Sequence, residues 1–223
     1  MEQKMAFKDR TEAGKILARK LQKYADRPDL LVLALPRGGV PVAYEIALAL
    51  DCPLDLFIVR KLGVPGHEEL AMGAIASGGF RVLNQDIVEQ LSIPEWEVEA
   101  VAQREMQEME RRENAYRGSR PPVPISSRCV ILVDDGLATG STMLAAIRAV
   151  RAQKPSRIVV AVPVAPPDTC EAIRKEADDV ICAETPVMFV AVGLWYRDFA
   201  QTSDEEVKHL FEEAARRSER KVQ

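Results

Sequence analysis

The amino-acid sequence predicts an α/β fold, a parallel sheet with helices on both faces. Two observations predict it. Short apolar runs rich in β-branched residues alternate with Ala-rich or amphipathic stretches along most of the chain, which is the pattern of strands joined by crossover helices. The residues suited to chemistry follow directly on those runs, and ligands of parallel sheets sit beyond the carboxyl ends of the strands. A chain of 223 residues can bury one full core. Residues 1–223 read as a single domain with no internal repeat.

Ala13, Ile16, Leu17, Leu21 and Tyr24 recur at helical spacing, so residues 9–25 predict a first amphipathic helix. Leu30 to Leu35 reads as a buried strand ending at the turn Pro36-Arg37-Gly38-Gly39, and Val40 to Leu50 as the helix after it. Leu54 to Val59 predicts the next strand, ending in Arg60-Lys61. Gly63, Pro65, Gly66, Gly73, Gly78 and Gly79 punctuate residues 62–79 as a long loop or ribbon, which Phe80 to Leu83 closes as a strand.

Composition changes near Asp86. Residues 95–117 are dense in Glu, Arg, Gln and Met, with Val98, Val101, Ala102, Met106 and Met109 as an apolar stripe and Pro94 at the first turn. They predict one long helix that ends before Gly118 and the connector Pro121-Pro122-x-Pro124. The stripe packs on the sheet edge or on a second copy of the chain, so a homodimer stays open. The alternative is a lid that carries Arg112, Tyr116 or Arg117 toward a ligand. Alternation then resumes with strand 128–134, helix 141–153, strand 157–163, helix 168–177, strand 179–182 and a further strand near 187–192. The last helix spans 203–217, with Ser203 and Glu206 spaced as a capping box.

Bulk composition narrows the function. Hydrophobic residues make up 47%, as in ordinary globular proteins, and the net charge is −4 from 30 basic and 34 acidic residues. There is no global basic field to bind nucleic acid. Cys52, Cys129, Cys170 and Cys182 form no C-x-x-C pair; Cys129 and Cys182 sit in apolar runs and read as buried thiols in a reducing cytosol. No apolar stretch reaches the length of a membrane span, and the segment beginning at Met1 has no signal-peptide core, so a cytoplasmic protein is expected.

The run Val130-Ile131-Leu132-Val133-Asp134-Asp135-Gly136-Leu137-Ala138-Thr139-Gly140-Ser141-Thr142-Met143 carries the most chemistry. A buried strand ends in two carboxylates. A loop of small residues follows, then a stretch that predicts a helix from about Ser141. Small residues let backbone N–H groups approach a phosphate, the hydroxyls of Thr139, Ser141 and Thr142 can donate to it, and the helix start adds its positive dipole end. The carboxylates repel that phosphate but suit a sugar diol or a magnesium ion beside it. Phosphate and sugar together point to a ribose 5-phosphate. Receiver domains also carry an acidic pair after a strand, but near the N-terminus and without the Thr-Gly-Ser-Thr continuation.

This run resembles the 5-phosphoribosyl-1-pyrophosphate (PRPP) signature of the type I phosphoribosyltransferases. The resemblance implies that family's parallel-sheet fold, with a helical insert at about 84–125 and a small C-terminal hood at about 186–202. It implies a magnesium-dependent transferase of nucleotide salvage that moves ribose 5-phosphate from PRPP to a nitrogenous base and releases pyrophosphate. Asp134 and Asp135 then carry the catalytic ribose contacts, and Ala138, Thr139, Gly140, Ser141 and Thr142 hold the 5-phosphate. Pro36-Arg37-Gly38-Gly39 resembles the family's pyrophosphate loop, which often contains a non-proline cis peptide; one is predicted between Pro36 and Arg37. Arg60-Lys61-Leu62-Gly63-Val64-Pro65-Gly66 resembles the adenine enzymes, where the basic pair faces pyrophosphate and the next loop closes over the site. His67, Glu68 and Glu69 share that loop; the glutamates are candidate acids, and the histidine reads as exposed, as His209 reads as structural.

Phe189 to Phe199 resembles the base-binding hood of the hypoxanthine–guanine branch, which implies stacking on Trp195 or Tyr196 and a magnesium ligand at Asp198. An aromatic cluster sealing the C-terminal helix onto the sheet stays open for the same residues. Ala138 stands where the oxopurine enzymes usually carry a purine-contacting aspartate, which weakens a hypoxanthine or guanine acceptor. The expected partners are PRPP and a nucleobase-like small molecule, with neither nucleic acid nor membrane. The alternative is a PRPP-sensing regulator with little catalysis.

Overall fold

A computed structural model describes residues 7–118 and 120–219. The reading of the chain start at Met1–Ala6 lies outside the described residues. The apolar runs β1 (Leu30–Ala34), β2 (Leu54–Leu56), β6 (Cys129–Val133), β7 (Arg157–Val164) and β8 (Asp179–Glu184) form a five-stranded, all-parallel sheet. Its order is β2-β1-β6-β7-β8. Every residue of β1 and β6 is buried, as a central strand covered on both faces requires.

Strand alternation sorts the core into two layers. Leu30, Val32, Ala34, Ile131 and Val133 face one layer, with α1 (Arg10–Lys20), α2 (Gly39–Leu50) and α7 (Asp204–Glu219). Leu31, Leu33, Val130 and Leu132 face the other, with α5 (Ser141–Ala152) and α6 (Pro167–Arg174). Asp9 caps α1 by accepting the Glu12 N–H at 2.8 Å. The predicted helix 9–25 stops at Lys20 and tightens into a 3₁₀ turn over Gln22–Tyr24. At α7 the Ser203 hydroxyl accepts the Glu206 N–H at 3.1 Å, so half of the expected capping box is present.

Four expectations are corrected. The strand 54–59 breaks after Leu56: Phe57 N–H still bonds Ala34 O at 2.9 Å, but Ile58 N–H turns to the Ser77 hydroxyl at 2.8 Å. The chain then enters a separate antiparallel ribbon of β3 (Val59–Val64), β4 (His67–Ala76) and β5 (Phe80–Leu83), so Arg60 and Lys61 lie within a ribbon strand and not at a core-strand end. A short helix α3 (Gln85–Gln90) follows the ribbon unpredicted. No strand forms near 187–192; Val187, Met188 and Val190 are 90%, 83% and 77% exposed, and only a 3₁₀ turn over Val192–Trp195 is present. Strand propensity is spent only where a neighbouring ladder accepts it. Cys182 is not a free thiol: it is disulfide-bonded to Cys170, whereas Cys129 is free and buried as expected.

The long helix α4 (Glu95–Arg117) forms as predicted. Val98, Val101, Ala102 and Met109 share one core cluster with Leu62 and Met72, so the apolar stripe packs on the ribbon, while the helix end reaches the edge strand β2. Its end is pinned inside the protein. Arg117 pairs with buried Asp55 and donates to Leu56 O, and Asp55 also accepts the Val123 N–H at 2.7 Å. Arg112 pairs with Glu108 at 2.8 Å. No helix among the described residues is long and apolar enough to cross a membrane.

Candidate functional site

Two strand ends make the floor. β1 and β6 are paired in register, and Leu35 N–H bonds Val133 O at 2.9 Å, so the turn after β1 meets the acidic pair after β6. The contact is close enough to demand glycine. A Cβ on Gly39 would sit 2.6 Å from Val133 O, and one on Gly38 would fall inside the Asp135 carboxylate. The Pro36–Arg37 peptide is cis, as the sequence predicted. Residues about a hundred positions apart in sequence thus form one surface, where the Pro36–Gly39 turn and Asp134-Asp135 are neighbours.

The two acids differ in their surroundings. Asp134 Oδ1 accepts the Asp135 N–H at 2.8 Å. Burial and the neighbouring Asp135 charge push the Asp134 carboxyl well above the ordinary aspartate range. Burial also raises Asp135, and Arg10 opposes it. Arg10 holds Asp135 Oδ2 through Nε and Nη2, each at 2.8 Å, with both side chains mostly covered at 12% and 15% exposure. Its Nη1 donates to Ala200 O at 2.7 Å and its guanidinium stacks 3.9 Å from the Phe199 ring centroid. The sequence reading missed Arg10. A basic residue in the first turn of a helix works against the helix dipole, and that misplacement is the signal that was available.

Beside the acids, Leu137 N–H bonds Val164 O at 2.9 Å and sets the loop on the end of β7. Gly140 adopts φ 72°, a left-handed conformation that glycine takes without strain, and starts α5 with no side-chain cap. Ser141 N–H makes a long 3.5 Å bond to the Thr139 hydroxyl, and the helix start as a whole turns its positive end toward the exposed hydroxyls of Thr139, Ser141 and Thr142. Thr139 and Ser141 hydroxyls lie 2.6 Å apart. Exposed Ala138 has its carbonyl turned back to accept the Thr169 hydroxyl at 2.7 Å, so α6 braces the loop from behind. Thr169 is a second residue the sequence reading missed, since nothing local in 165–170 announces it.

Other candidates are placed differently. Alternation along β3 sends Arg60 and Lys61 to opposite faces. Arg60 turns to α4 and pairs with Glu105 at 2.9 Å through Nε, which tethers the ribbon to the helix. Lys61 turns the other way and lines a cavity of about 200 Å³ with Ser141, Thr142 and Arg148. Tyr196 is corrected as a stacking residue: it is 3% exposed and donates to Asp135 O at 2.6 Å. It packs with Phe7, Ala13 and Val164, half-buried Trp195 and Phe199 beside them, so the aromatic cluster seals the hood onto α1 and not onto the C-terminal helix. Trp195 Nε1 is buried with no hydrogen-bond partner among the described residues. His67 and Glu68 are exposed at the ribbon tip; the side chain of Glu69 lies outside the described residues. His209 is exposed on α7, 3.8 Å from Glu213.

Asp198 is exposed, with Oδ1 accepting the Ala200 N–H at 3.0 Å. Among the described residues no three of His, Cys, Asp or Glu converge on a metal-sized space. The exposed Asp198 carboxylate is the kind of oxygen donor that fits a magnesium ion whose other ligands are phosphate oxygens and water.

Residues 6–197 match the family described as phosphoribosyl transferase domain. Two strains of Mycobacterium tuberculosis, CDC 1551 and H37Rv, each have a provisionally named phosphoribosyl transferase that is 44% identical over 210 residues, covering 94% of this chain. The chain spans 47% of the length of those relatives. The crystal structure of the TT1426 protein from Thermus thermophilus superposes with a TM-score of 0.85 at 41% identity, covering 94% of this chain and 99% of that one.

Proposed function

This chain belongs to the phosphoribosyl transferase domain family, and from that premise we propose that it transfers ribose 5-phosphate from PRPP to a nitrogen nucleophile with release of pyrophosphate. One observation carries the reading: the Asp135 carboxylate packs directly against Gly38, which joins a sugar-binding acid pair to an anion-binding turn. The 5-phosphate lies on the N–H groups at the start of α5 and the hydroxyls of Thr139, Ser141 and Thr142. The ribose diol bonds Asp134 and Asp135. Arg37 and the backbone of Gly38 and Gly39 face pyrophosphate, with Lys61 reaching in from the ribbon.

The acceptor nitrogen forms its bond to C1 as the C1–oxygen bond to pyrophosphate breaks, the bonding electrons leave with pyrophosphate, and the proton displaced from the acceptor nitrogen passes to solvent or to the pyrophosphate. Positive charge develops on the ribose ring, where the Asp135 carboxylate, held in its charged form by Arg10, stabilises the transition state. Arg10 supports Asp135 in that state by offering it two N–H donors. Magnesium, when bound, neutralises charge on the departing pyrophosphate. The acceptor is a nucleobase-like heterocycle, and Ala138 argues against an oxopurine. The test is pyrophosphate release from PRPP and magnesium across purines, pyrimidines and small amines. Release with at least one acceptor is expected. PRPP binding without release from any of them would favour a sensor.

A further inference from the structure

Asp204 opens α7 and has no place in the reading above. Its Oδ1 accepts the Tyr116 hydroxyl at 2.6 Å and lies 3.5 Å from Arg37 Nη1. Tyr116 is buried near the end of α4, so it fixes the carboxylate from the insert side. Arg37 is the cation of the Pro36–Gly39 turn and is 36% exposed, open to a second anion. The hydrogen bond from Tyr116, with Arg37 adding its charge, holds the Asp204 carboxyl below the ordinary range. Asp204 is therefore a fixed anion at the point where the proposed pyrophosphate would arrive.

We infer that Asp204 is a positioning residue that holds Arg37 before pyrophosphate arrives and competes with pyrophosphate for it, with α4 setting that competition through Tyr116. The inference rests on the proposed phosphoribosyl transfer. It gives the 95–117 helix a part in the reaction. The helix keeps a counter-charge on Arg37, so that the leaving group is gripped less tightly and departs faster. An ion pair this exposed is weak, so the exchange is easy in both directions.

The experiment is calorimetric titration of inorganic pyrophosphate with magnesium into the full chain. Asp204→Asn is expected to bind about two- to fivefold tighter than the wild type, and Tyr116→Phe to shift the same way by less. In an Arg37→Gln background the Asp204→Asn gain is expected to vanish. Unchanged or weaker binding in Asp204→Asn, or an undiminished gain without Arg37, overturns the inference while leaving the proposed function standing. A wild-type chain that binds neither pyrophosphate nor PRPP overturns the proposed function, and this inference with it.

Discussion

The donor corner and the hood lie against each other at Asp135, yet they are held by different means. The ligand-facing residues of the donor corner are mostly contiguous, although Gly38, Arg10 and Thr169 brace them from elsewhere in the chain. Five buried residues of β6 deliver Asp134 and Asp135, and the loop to Ser141 follows within a few positions. The hood is held from far away. Phe7 N–H bonds Trp195 O and Arg197 N–H bonds Phe7 O, both at 3.0 Å, and Arg10 reaches Ala200. Its outer side chains, Val187, Met188 and Val190, are exposed. A rigid binding surface can be written in one contiguous stretch. A surface meant to be supported by a distant segment cannot.

The largest expected effect tests the donor corner. Gly38→Ala drives a Cβ into the Asp135 carboxylate and separates the two loops, so PRPP affinity falls by about a hundredfold and stability by about 1–3 kcal/mol. Calorimetry and thermal unfolding check both; an unimpaired variant would break the idea that the loops form one surface. Arg10→Gln cuts the strap between the corner and the hood. It leaves a mostly buried carboxylate short of two donors, at a cost of about 1–3 kcal/mol in denaturant unfolding. Faster amide exchange is expected in 195–200 and not in 137–142; equal loosening of both would erase the contrast.

The third prediction concerns pH. The Asp134 carboxyl is raised in the folded chain, so between the ordinary aspartate range and that raised value the folded state holds a proton the unfolded state has lost. Its contribution is therefore a loss of stability as pH rises through that window. Asp134→Asn removes the loss: the variant gains in melting temperature over the wild type as pH rises, and the gain disappears in strong acid. A gain that is flat with pH would contradict this. The smallest effect belongs to the outer hood, where Val190→Ser is expected to change stability by less than about 0.5 kcal/mol, because the side chain is already in water.

Much of this was legible in the sequence, for physical reasons that differ by residue. Buried parallel strands need unbroken apolar runs, so β1, β6 and β7 stood out, and so did the acids and glycines at their ends. The cis peptide at Pro36–Arg37 was legible through a family resemblance carried by four residues. Arg60 and Lys61 look alike in sequence, but strand alternation separates them, and a segment read as ending a core strand hid that alternation. Arg10, Thr169 and Asp204 act across the fold at separations no local pattern encodes. Tyr196 carries the composition of a stacking platform but is consumed by the aromatic seal on α1.

The most direct test of the central claim is calorimetric titration of PRPP with magnesium into the wild type and into Asp134→Asn/Asp135→Asn. Saturable one-to-one binding by the wild type, lost in a double variant that still unfolds cooperatively, is the predicted result. Equal affinity in both proteins, or none in the wild type, would contradict it.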